Sequence, residues 1–248
     1  MSLGSPNFVG VDGSPSGWIA VGYDDGFAGI AWYDSMETLW SEHREAETIL
    51  VDMPIGLRED CGDARECDTA ARELLSPDRH NSVFPVPIRA AVHEEEYEEA
   101  KEKQEERTDG SLGTQSHSIA DGIRELDCLL RNDSKGRGTI RESHPEVCFA
   151  ALAGNDPMSF SKSSQPAAAF WERVSVLESI DGFAIEDLQK AGESIIQWDN
   201  PECSNDDLLD AFALALTPRD LTRYLQTFSE ERVTDCKDLP MEMVYAEP

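Results

Sequence analysis

The stretch VGVDGSPSGW, residues 9–18, decides how this chain is read, because a short apolar run stops at one carboxylate, Asp12, and gives way to glycine, serine and proline. Such a pattern suits a turn that cradles a phosphate, a tight hairpin, or a strand end that presents an acid. A phosphate turn runs into a helix whose free amides hold the anion. Here the turn runs into WIAVGYDD, a second apolar and partly alternating segment. The stretch therefore reads as a hairpin that fixes Asp12 at the end of its first strand.

Working outward, FAGIAWYD is a third strand of the same kind, METLWSEHREAE a helix, and TILVDMPIGL a fourth strand closed by Pro and Gly. Three strands, a helix and a strand open a mixed α/β sheet in which the first and fourth strands lie side by side. Further on, Arg58 to Leu75 reads as a helix with Arg65 and Arg72 on one face. SVFPVPIR is extended, HEEEYEEAKEKQEERTDG a solvated charged helix, SHSIADGIRELDCLLR an amphipathic helix, and GRGTIRES a basic hairpin tip leading into a fifth strand. HPEVCFAALAG is a helix with Pro145 at its first position and Gly154 beyond its end. SNDDLLDAFALALTPRDLTRYLQ is the best-marked helix, and LPMEMVYAEP an extended tail. With no internal repeat and no Gly/Ser linker, one domain over residues 1–248 is the economical expectation, with a helical insertion around 58–135 and a C-terminal tail at 229–248.

The 248 residues carry 50 acidic and 21 basic side chains, a net charge of −29, and the basic set is 15 arginines and only six lysines. Such a surface repels nucleic acid and anionic membranes in dilute salt. In molar salt the Debye length falls to about 3 Å and net charge stops governing encounters. The acidity is what a salt-accumulating, halophilic cell would select for solubility, so individual carboxylates are judged by position. Cysteines at 61, 67, 128, 148, 203 and 236 form no CxxC pair and read as reduced thiols in a cytoplasm. No apolar run reaches a membrane span and no secretory signal is visible, so a cytoplasmic protein with no membrane partner is expected.

Asp12, Asp52, Glu146 and Asp210, with Asp207 beside them, stand apart from the solvated majority. Asp12 and Asp52 close the first and fourth strands inside apolar runs, where an unpaired carboxylate is costly. Each either caps a turn through its own backbone or shares a cation with its neighbour. In DDLLDAFALA, Asp207 and Asp210 lie three apart on one helical face. Asp207 sits in the first turn, where the helix dipole favours it after a cap at Ser204 or Asn205. Asp210 instead precedes the apolar run AFALAL and needs a special reason. Glu146 starts a helix directly after the fifth strand, and capping alone would explain it. Together these acids suit Mg2+ or Mn2+, which take oxygen ligands. Two such ions about 3.5–4 Å apart can drive phosphodiester hydrolysis.

These residues resemble those of the ribonuclease H-like superfamily, which carries acids on its first and fourth strands and at its C-terminal helix. DDLLDAFALA is similar to the closing motif of that superfamily's Holliday-junction resolvases. More specifically, GVDGSPSGW, VDMPIGL, SVFPVPIR, Gln115, IRELD, SHPEVCFAALAG, the SK pair at 161–162 and DDLLDAFALA resemble, in this order, the family of domain of unknown function 429. That family is described as a predicted nuclease. The resemblance covers roughly residues 8–225. It implies a ribonuclease H-like α/β fold, a mixed five-stranded sheet of three antiparallel then two parallel strands flanked by helices.

It also implies Asp12, Asp52, Glu146 and Asp210 as metal ligands, with Asp207 beside them as a further catalytic acid. Arg89, Arg124, His144 and Lys162 become the groups that hold a phosphate. Two of these have a structural alternative, His144 as a helix cap and Arg124 as a partner of Glu125 or Asp127; Arg58, Arg65, Arg72 and Arg79, spaced by sevens, either add positive charge to the site or pair with nearby acids. The expected function is a metal-dependent nuclease acting on structured DNA or RNA by two-metal-ion hydrolysis. The alternatives are a nucleotide-binding enzyme of the sugar-kinase and actin type, and a non-catalytic metal-binding protein.

Overall fold

The computed structural model describes residues 3–14, 16–60, 63–199, 202–219, 225–229 and 231–247. Strands β1 (Phe8–Ser14), β2 (Gly17–Tyr23) and β3 (Phe27–Tyr33) form an antiparallel meander, and α1 (Met36–Glu42) carries the chain back to β4 (Thr48–Val51). Ser35 caps α1 by accepting from the Thr38 amide. Strand β4 pairs parallel to β1, and β5 (Ile140–Glu142) parallel to β4. The order β3-β2-β1-β4-β5 is the mixed five-stranded sheet expected of a ribonuclease H-like fold. The opening hairpin is as short as its sequence suggests, with Ser14 opposite Gly17.

Strict alternation sorts the strand residues between two layers. Val9, Val11, Ile49 and Val51 face one core with Met36, Leu39 and Trp40 of α1 and with Ile123, Leu126 and Leu130 of α6 (Ala120–Asn132). Ile19, Val21 and Leu50 face the other, built on α8 (Pro145–Leu152) and α11 (Asn205–Arg219), with α9 (Pro166–Leu177) packed on both helices and α10 (Ile185–Ile195) on β3. Gly10 and Asp12 point to this second side. Every residue from Leu208 to Pro218 is buried, which an all-round apolar helix requires.

Between β4 and β5 the chain forms α2 (Glu66–Leu74), a 3-10 turn (His80–Ser82), α3 (Arg89–Val92), α4 (Tyr97–Arg107), α5 (Thr114–Ser118), α6 and α7 (Gly136–Thr139). Beyond α11, β6 (Leu225–Thr227) and β7 (Val244–Ala246) pair antiparallel, and Val244 bridges to Ser143 at the end of β5.

The structure corrects three local expectations. The helix expected from Arg58 begins at Glu66, and Arg65 is extended at its cap position (φ −64°, ψ 148°), off the helical face it was to share with Arg72. Its guanidinium turns inward, donating to the Ile55 carbonyl at 2.8 Å, to Glu142 and to Asp68. Burial opposes that positive charge, but Glu142 and Asp68 outweigh it. GRGTIRES is a single helical turn into β5, not a hairpin tip. Asp133 accepts from the Lys135 and Gly136 amides, and Arg137 binds the Leu130 and Arg131 carbonyls, so the turn is docked onto the end of α6. Finally, α11 ends at Arg219 and Leu225–Gln226 lie in β6; the intervening 220–224 fall outside the described residues. No described helix is long and apolar enough to cross a membrane.

Candidate metal centre

Parallel pairing of β1 with β4 sets Val11 opposite Val51, and the Asp52 amide donates to the Val11 carbonyl at 2.9 Å. Asp12 and Asp52, each the next residue along, therefore leave the sheet side by side at the carboxyl edge, on the α11 side. Helix α11 reaches them because Gly10 has no side chain. A Cβ there would lie 2.2 Å from both the Ala211 carbonyl and the Ala215 amide. This close approach delivers Asp210 to the two strand acids. One carboxylate oxygen from each of Asp12, Asp52 and Asp210 lies within 4.8 Å of the others.

Asp12 and Asp210 are buried and Asp52 is half-buried. Burial, followed by the charges of Asp52, Asp210 and Asp207, holds the Asp12 carboxyl well above the usual carboxylate range, with Lys162 opposing. Burial also raises Asp52, which His144 and Lys162 partly offset. Asp210 is pushed up to about 6 by burial, despite Lys162, with Asp52 and Glu146 adding to the rise. Oδ1 of Asp210 is buried with no hydrogen-bond partner. Asp12 keeps the turn contact that Asp favours, accepting from the Gly13 amide at 2.8 Å, yet that bond leaves its charge uncompensated. Crowded oxygen donors, raised proton affinity and an orphaned oxygen are what a hard divalent cation would relieve.

The remaining expected residues divide into two groups. Lys162 donates to Asp210 Oδ2 and lies 3.5 Å from Glu146 Oε1. Burial works against its charge, but Asp210 and Glu146 outweigh that and keep it protonated. Glu146, at the first turn of α8, accepts from the buried Arg173. Its carboxyl is lowered because Lys162 and Arg173 overcome its burial, although its Oε2 is buried without a partner. It thus faces the cluster through Lys162 and stands outside the converging trio. His144 caps α8, its Nδ1 accepting from the Glu146 amide at 3.2 Å.

Asp207 is drawn back into its own cap. It accepts from the Ser204 amide and hydroxyl at 2.9 and 2.7 Å, and its amide donates to Ser204 Oγ. Arg89 is enclosed by Glu59, Asp127 and Asp235. Arg124 donates to the Val92 and Glu94 carbonyls and to Asp121, not to Glu125 or Asp127. Of the arginines spaced by sevens, Arg65 pairs with acids, whereas Arg72 and Arg79 bind the carbonyls of Val83 and of Met158 and Ser159.

A cleft of about 520 Å³ opens beside the trio, lined by Asp12, Asp52, Asp34, Asp121, Glu125 and Trp18 and, among the described residues, by no basic side chain. Glu125 is anchored there by the Trp18 indole and the Met36 amide.

Two residues on which the site depends are absent from the sequence-based expectations. Arg173 occurs as the one cation in the apolar run AAAFWERVSVL, and a buried arginine demands an acidic partner. Gly10 interrupts an apolar strand, a known mark of close backbone approach.

The model of the family described as Protein of unknown function (DUF429) matches residues 10–226. No curated protein and no solved structure matches the chain.

Proposed function

The chain belongs to the domain-of-unknown-function 429 family, and from that premise and its convergent acids we propose a divalent-metal-dependent phosphodiesterase of the nuclease type. The observation that carries the proposal is the meeting of Asp12, Asp52 and Asp210, with Asp210 Oδ1 buried and unpartnered. In this reading the three carboxylates hold Mg2+ or Mn2+. An ion held by these three carboxylates would supply Lewis acidity toward a phosphodiester and lower the pKa of a water.

The protein's own groups do the rest. Asp12 and Asp52, fixed by the strand ends, set the position of the ion. Arg173 holds Glu146, which flanks the Lys162 ammonium opposite Asp210, so that the protonated group faces developing negative charge. The acid-lined cleft accepts a polyanion only after cations neutralise it, which supports strict metal dependence. The described residues hold one copy of the strand meander, which favours a hydrolase over the duplicated nucleotide-binding fold of sugar kinases and actin.

The test is Mg2+- or Mn2+-dependent cleavage of branched DNA, RNA–DNA hybrid and single strands in high salt, with Asp12→Asn alongside. Cleavage lost in the variant is expected. No cleavage that depends on Asp12 would sink the proposal, and metal-dependent melting without turnover would assign the ion a structural role instead.

A further inference from the structure

Three of the described arginines line one cavity. A pocket of about 390 Å³ is lined by Arg137, Arg141 and Arg232, with Phe228 on its wall and Glu231 and Glu242 as its acids. It shares no residue with the acidic trio or the cleft beside it.

We propose that this pocket binds the phosphate group of a nucleotide. Arg137 donates through Nε and Nη2 to the Leu130 and Arg131 carbonyls, which fixes its plane and leaves Nη1 available. Arg141 donates through Nε to Glu242 at 2.8 Å, which leaves both terminal nitrogens available. Arg232 is exposed and has no hydrogen-bond or ion-pair partner among the described residues. Glu242 is thus already paired, and among the described residues that line the pocket three guanidinium groups outnumber two carboxylates, in a chain whose net charge is −29. Guanidinium nitrogens lining one volume from three side chains suit a tetrahedral phosphate, whose oxygens accept from several directions, better than a planar carboxylate.

The cavity is larger than phosphate needs, and its size is that of sites for small organic ligands. Phe228, stacked at a tilt on Tyr245 with ring centroids 4.8 Å apart, gives a base a flat surface to lie on. A free nucleotide and a nucleotide within a single strand share this chemistry.

Calorimetric titration in metal-free buffer separates these sources, using a nucleoside 5′-monophosphate, inorganic phosphate and a short single-stranded oligonucleotide as probes. Saturable binding of the monophosphate is expected, unchanged in Asp12→Asn and weakened about tenfold in Arg232→Ala and in Arg141→Gln. Oligonucleotide binding with the same arginine dependence, and none of the monophosphate, supports the site and makes a strand its ligand. Arg232 is exposed, so its variant reports on binding without a folding defect. Absence of saturable binding by every probe, or affinities untouched by both arginine variants, overturns the proposal whether or not the metal centre proves catalytic.

Discussion

The Lys162 ammonium lies against the Asp210 carboxylate, where it balances part of the charge gathered by Asp12, Asp52 and Asp210. It acts as a built-in cation. Lys162→Met should lower the stability of the metal-free protein by about 1–3 kcal/mol, since it strands a buried carboxylate whose partner was partly exposed. Added Mn2+ should then raise Tm more in the variant than in the parent, because the ion no longer competes with an ammonium. Thermal melts with and without Mn2+ check this, and an equal or smaller metal shift in the variant would show that lysine and ion do not share the site.

Asp210 gives the metal-free protein a signed pH dependence. Its folded value of about 6 exceeds an unfolded aspartate's, about 3.9, so between the two values the native state binds more protons. Stability should therefore fall as pH rises from about 4 to about 6, by on the order of 1–3 kcal/mol from this group. The stabilisation by Mn2+ should grow over the same window, because protons compete with the ion for the carboxylates. Melting curves across that range test both signs. Asp210→Asn should flatten the first trend, and an unchanged slope would remove Asp210 as its source.

Gly10 is where packing and the site meet. Gly10→Ala places a methyl carbon 2.2 Å from backbone atoms of Ala211 and Ala215, neither of which can rotate away. Displacing α11 from β1 should cost about 3 kcal/mol or more, a Tm drop of roughly 10 °C. Because Asp210 rides on α11, the metal-induced Tm shift should shrink as well. A variant that melts like the parent would mean that the helix does not approach the strand this closely.

Surface acidity should make stability rise with salt. With 50 acidic against 21 basic residues, repulsion among exposed carboxylates opposes the folded state until counter-ions screen it. Raising KCl from about 0.1 to about 2 M, which shortens the Debye length to a few ångströms, should raise Tm. A flat or falling Tm would leave the excess of acid without this explanation.

Much of the frame was legible before any tertiary contact. Alternation in VGVD and TILVD set which strand residues face each layer, and both runs end in aspartate at what becomes one sheet edge. Pro145 and Gly154 bracket α8 as their backbone preferences require. Arg65 shows where local pattern fails. Its spacing from Arg72 implies a helix, but bonds to Glu142, 77 residues away, hold its backbone extended.

Periodicity in the chain therefore settled direction: strand residues two apart share a face, and so Asp12 and Asp52 were expected to emerge together. It did not settle partnership. Asp207 and Asp210 share a helical face, yet the first closes its own cap with Ser204 while the second meets acids some 200 and 160 residues earlier in the chain. Glu146 and Arg173 likewise meet only when α8 and α9 pack. Such pairings depend on how closely elements approach, and for α11 that distance is set by the missing side chain of Gly10 on β1. Local sequence encodes the side from which a group projects, whereas the distance across which it acts is a property of the packed core.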